Sequence, residues 1–199
     1  MNIIPRVKFR YSWIYDQTWR RWLQKENPEL IFASEEEVKE FINKIEPVWR
    51  AQETEILTAM SGLTQLAWSE DKIICYVVSR CRPFSDPLTM RVTQSEDEFM
   101  RFLIHEMIHQ NLVQGLDNNT WNNVKDMFQA KYSGETITTK NHILVHAFLK
   151  QLLLKFYDQT WVNKDIEFCN KFPEYKRAWE IVESEGYKKI IKDFTNSIK

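Results

Sequence analysis

A chain of 199 residues with 43% apolar and 14% aromatic residues holds material for a sizeable core, and eight Trp with twelve Phe exclude a disordered chain. A formal charge of −1 excludes a strong electrostatic footprint for nucleic acid. Three cysteines, Cys75, Cys81 and Cys169, show no CxxC spacing. They form neither a disulfide framework nor a zinc ribbon, so reduced thiols in a cytoplasm are the expectation. The opening MNIIPRVKFRYSW carries no signal-peptide pattern, and no uncharged stretch approaches the length of a membrane span.

In chain order, Ile3 to Tyr11 alternates loosely and reads as a strand, placed at a sheet edge by Pro5. Arg6, Lys8, Arg10, Arg20 and Arg21 are interleaved with Tyr11, Trp13, Trp19 and Trp22, which reads as a solvated amphipathic face. A short helix is expected over residues 16–25. Ser34 with Glu37 forms a capping box that opens a helix, and Val38, Phe41, Ile42, Ile45 and Val48 follow at helical spacing. Pro47 kinks or ends it, with a second helical piece reaching Met60. Leu63 to Ser69 and Lys72 to Arg80 read as two strands around a Glu70-Asp71 turn, and Leu88 to Thr93 as a third, exposed strand after a proline-flanked loop.

Ser95 and Glu98 repeat the capping-box spacing and open a helix that runs to about Val113 and stops near Gly115. Further helices are expected over 121–132, over 140–156 with Thr138 or Thr139 as cap, and over 173–184 and 186–197. The pentapeptide Tyr-Asp-Gln-Thr-Trp occurs at Tyr15–Trp19 and again at Tyr157–Trp161. Its flanks do not match, so no repeat architecture follows.

The four histidines carry the chemistry. They form two pairs spaced by four, His105 with His109 and His142 with His146, each pair within an expected helix. Side chains four apart share a helix face, so each helix offers two imidazoles to one point. Catalytic zinc takes three protein ligands plus water, at about 2.0–2.1 Å for imidazole nitrogen. His105 and His109 supply two ligands. Glu106, next to the first, is placed to accept the proton of a zinc-activated water. Between Phe102 and Gly115, Glu106 is the one charged residue, so the helix reads as buried. His142 or His146, on a second helix apolar nearly all round, is the third ligand. Two alternatives stand beside this: four histidines closing a structural metal site, and a helical interaction module without metal.

His105-Glu106-Met107-Ile108-His109, with its uncharged flanks, resembles the active-site helix of the zincins, the HExxH zinc metallopeptidases. The order of helix, small sheet, motif helix and second ligand helix is similar to minimal gluzincin or SprT-like domains over roughly residues 34–156. The resemblance implies an α+β, mostly helical fold. A small mixed sheet of three to four strands would pack on the motif helix and the second ligand helix, in one domain over 1–199 with helical extensions at both ends. It implies Zn2+ held by His105, His109 and His142, with Glu106 as catalytic base. His146 would be the catalytic partner, either orienting the centre or donating to the oxyanion, for which Tyr132 and Tyr157 are further candidates. The substrate would be a peptide or protein, held along the exposed edge strand at Leu88–Thr93. Neither nucleic acid nor membrane is an expected partner, and oligomeric state leaves no mark on the sequence.

Overall fold

A computed structural model describes residues 3–198, with backbone but not every side chain over 118–125. The fold is α+β and mostly helical, as expected, with nine helices and a four-stranded mixed sheet among the described residues. Tertiary contacts group the chain into two compact units, one of Ile3–Glu55 with Glu70–Gln110 and one of Ile56–Ser69 with Asn111 onward.

The first unit carries the sheet, in the order β1-β2-β4-β3. In β1 (Arg6–Tyr11) Val7 and Phe9 are buried while Arg6, Lys8 and Arg10 are exposed, the alternation a half-buried strand requires. It lies parallel to β2 (Lys72–Val78) with Val7 opposite Ile73 and Phe9 opposite Cys75, at the edge where Pro5 placed it. Three helices connect these strands: α1 (Trp13–Glu26), α2 (Glu35–Arg50) and α3 (Glu53–Thr64). The capping box at the start of α2 forms in both directions, Glu37 N–H to Ser34 Oγ at 3.2 Å and Ser34 N–H to Glu37 Oε2 at 2.7 Å. Val38, Ile42, Ile45 and Trp49 are the buried face of that helix, which runs through Pro47 rather than ending there.

Two buried carboxylates fasten these helices to the sheet. Asp16 of α1, fully buried, accepts the Ser79 N–H at 2.7 Å and its hydroxyl at 2.5 Å, and pairs with Arg20 at 2.7 Å. Glu53 at the start of α3 accepts the Val7 N–H at 2.6 Å and the Trp49 indole N–H at 2.9 Å, and pairs with Arg50 at 2.6 Å.

Two strand expectations are corrected. Leu63–Ser69 is not a strand: α3 reaches Thr64, Gln65 turns the chain at φ 59°, and the segment after it is irregular. The Trp68 indole N–H there donates to the Leu57 carbonyl at 3.3 Å, giving a buried aromatic an anchor without a ladder. Nor is Leu88–Thr93 an exposed edge. Strand β4 (Leu88–Arg91) lies between β2, parallel to it, and the short β3 (Phe84–Ser85), antiparallel to it, with Leu88, Thr89 and Met90 buried. The Asp86-Pro87 turn folds Phe84–Ser85 back as a hairpin and covers the side expected to hold substrate. Cys75 and Cys81 are buried, and burial pushes the Cys81 thiol up to about 12.

The second unit is helical, comprising most of α3 with α5 (Asn118–Lys131), α6 (Ile137–Phe156), α7 (Gln159–Cys169), α8 (Pro173–Glu185) and α9 (Tyr187–Ser197). Helix α6 is buried at nearly every position from His142 to Leu149 and packs with α7, α8 and α9. A helix that is apolar all round becomes the centre of its bundle. Its cap is Thr136 rather than Thr138 or Thr139; the Thr136 hydroxyl accepts the Thr139 N–H at 3.1 Å. Helix α7 falls in a segment where no helix was expected. Gly186 joins α8 to α9 at φ 85°, a left-handed conformation that favours glycine. No described helix is long and apolar enough to cross a membrane.

Candidate metal centre

Helix α4 (Glu96–Gly115) opens on three acidic residues, and the Ser95 hydroxyl accepts the Glu98 N–H at 3.2 Å. Phe99, Met100, Phe102, Leu103, Ile104, Met107, Ile108 and Leu112 are all buried, so the helix is held on most of its circumference. Phe99 meets Phe9 of β1 and Phe41 of α2, at ring-centre distances of 5.8 and 5.3 Å. Gln110 donates to the Ser85 carbonyl of β3, which fixes the helix beside the hairpin.

On this rigid rod His105 and His109 stand one turn apart with ring centres 5.2 Å from each other, both half-buried. On helix α6, in the second unit, the His142 ring is itself held in one orientation. Its Nδ1 lies 2.8 Å from the Thr138 carbonyl oxygen, which only accepts, so Nδ1 carries the proton. In the neutral ring Nε2 then bears the lone pair that a metal ligand needs, and a backbone carbonyl on the other nitrogen is a common support for metal-binding histidine. Burial pulls the His142 pKa down, against smaller opposing effects of Thr138 and Glu174, which favours that neutral form.

Glu106, 8% exposed, is buried beside these ligands in the sequence, and burial raises its carboxyl to about 8. A divalent charge nearby favours the carboxylate.

His146, fully buried, falls with Asp165 and Cys169 in a group whose ligand atoms lie within 4.8 Å of one another. It stacks on Trp179 with ring centres 4.6 Å apart and planes 15° from parallel. Of the other oxyanion candidates, Tyr132 donates its hydroxyl to Glu185 at 3.2 Å and Tyr157 stacks on Trp161 at 3.7 Å. Asp165 and Cys169 form no motif in the sequence; their spacing of four sets them on one face only because helix α7 occupies this segment.

Fold and donor set together define a mixed α+β protein with a histidine group that could hold a metal ion. No family model matches the chain, and no match was found among curated proteins or solved structures.

Proposed function

We propose that this chain is a zinc-dependent hydrolase of peptide bonds. The observation that carries the reading is the pair His105 and His109, one helical turn apart with ring centres 5.2 Å from each other and the buried Glu106 next to the first. Three histidines suit zinc, and three protein ligands rather than four are the pattern of catalytic zinc sites. The resemblance of residues 105–109 to the zincin motif points to peptides as the substrate class.

His105, His109 and His142 hold the ion in this account, and the Thr138 carbonyl keeps the His142 ring in orientation. When bound, zinc would supply Lewis acidity and lower the pKa of water to near neutrality. Glu106 lies about 100° round the helix from His105. Its carboxylate accepts the proton of the attacking water and returns it to the departing amine nitrogen. His146 is given no role in this step and is assigned instead to the group with Asp165 and Cys169.

The test is digestion of a quenched-fluorescence peptide library by the full, zinc-loaded chain. Cleavage that stops with 1,10-phenanthroline and returns with added zinc is the expected result. A zinc-loaded chain that cuts no peptide would contradict the peptidase reading and leave the centre structural. Cleavage indifferent to the chelator would remove zinc from the mechanism.

A further inference from the structure

Helix α7 brings Asp165 and Cys169 to one face, because residues four apart on a helix stand one above the other. Both are buried, at 2% and 3% exposure, against a helix α6 whose His146 has none. The three ligand atoms lie within 4.8 Å of one another. Side chains around them fix their orientation. The Trp179 indole N–H donates to Asp165 Oδ2 at 3.1 Å, and the same ring stacks on the His146 imidazole. The Cys169 thiol donates to that same carboxylate oxygen at 3.5 Å.

We propose that His146, Asp165 and Cys169 form a second metal site, specific for a thiophilic divalent ion of the zinc class. A buried carboxylate is a natural ligand for a divalent cation, whose charge is opposite to its own. Binding breaks the Cys169 S–H bond and releases the proton to solvent as the metal–sulfur bond forms, with no change of oxidation state. One thiolate, one carboxylate and a neutral imidazole then sum with the ion to zero charge, which suits a buried position. A sulfur donor with one imidazole selects zinc-like ions over calcium or magnesium, which take oxygen ligands.

The same three residue types also make up nucleophilic cysteine centres, but such a centre must admit a substrate. A thiol 3% exposed and an imidazole fully buried admit an ion far more readily than a peptide. The assignment rests on a different set of residues from the His105 centre and does not depend on hydrolysis. It also gives the sole cysteine of α7 a role that composition alone had left open.

Cobalt titration of the full, metal-free chain tests this, because cobalt(II) bound to thiolate gives an intense near-ultraviolet charge-transfer band and cobalt on imidazoles alone does not. The expected result is that band, saturating at one cobalt per chain and erased by excess zinc. It persists in His109→Ala, which damages only the first centre, and is lost in Cys169→Ser. A chain carrying Cys75→Ala and Cys81→Ala, with Cys169 as its only thiol, keeps the band, so the assignment stays testable if Cys169→Ser misfolds. No thiolate band in the unmodified chain, or a band that survives in folded Cys169→Ser, would overturn the proposal.

Discussion

Replacing Glu106 with Gln is expected to lower kcat/KM for peptide cleavage by about a thousandfold, or about 4 kcal/mol of transition-state stabilisation, while zinc content stays at the parent level. Glutamine keeps the shape of the side chain and removes the proton acceptor. The three imidazoles are untouched, so the ion remains. The split matters, because a residue that merely supports the fold would lose metal and activity together. A base acts on the transition state rather than on bound substrate, so the loss is expected in kcat rather than KM. A Glu106→Gln chain with unchanged kcat would refute the assignment of the base.

The largest expected effect on stability lies away from the metal centre, at Glu53. Its carboxylate accepts the Val7 N–H at 2.6 Å and the Trp49 indole N–H at 2.9 Å. It also pairs with the Arg50 guanidinium, which in turn donates to the Val7 carbonyl and pairs with Glu46 at 2.8 Å. Val7 sits on β1, an edge strand whose outward N–H and C=O would otherwise seek a partner strand. The Glu53–Arg50 pair caps both. Glu53→Ala leaves the Val7 N–H, the Trp49 N–H and the Arg50 charge without this acceptor. Removing one member of a buried pair costs about 3–5 kcal/mol, and the 20% exposure of the Arg50 side chain places the expectation at the lower end. Urea unfolding measures it. A cost under about 1 kcal/mol would show that the network is idle.

What the sequence conveyed follows from which signals are local. The Ser34–Glu37 capping box and the apolar length of α6 are properties of one segment, and both were legible. So was the pairing of histidines at spacings of four. Signals that depend on distant partners were not. Asp16 and Glu53 are charged, and charge in a sequence reads as surface; only folding reveals Ser79 beside the first and Val7 beside the second. The repeated pentapeptide makes the same point. Its first copy places Asp16 inside α1, facing Ser79, while in the second Asp158 caps α7 by accepting the Thr160 N–H at 2.7 Å. Identical residues thus play opposite parts because their neighbours differ. The order of strands was equally non-local: β4 became internal through a hairpin whose outer strand is two residues long, too short to register as alternation.

The zinc content of purified His105→Ala, His109→Ala and His142→Ala chains, measured beside the parent with circular dichroism as a check on folding, tests the proposed three-histidine centre most directly. Each variant is predicted to fold and to hold one zinc ion fewer per chain than the parent. A parent that takes up no zinc, or folded variants that keep as much as the parent, would contradict it.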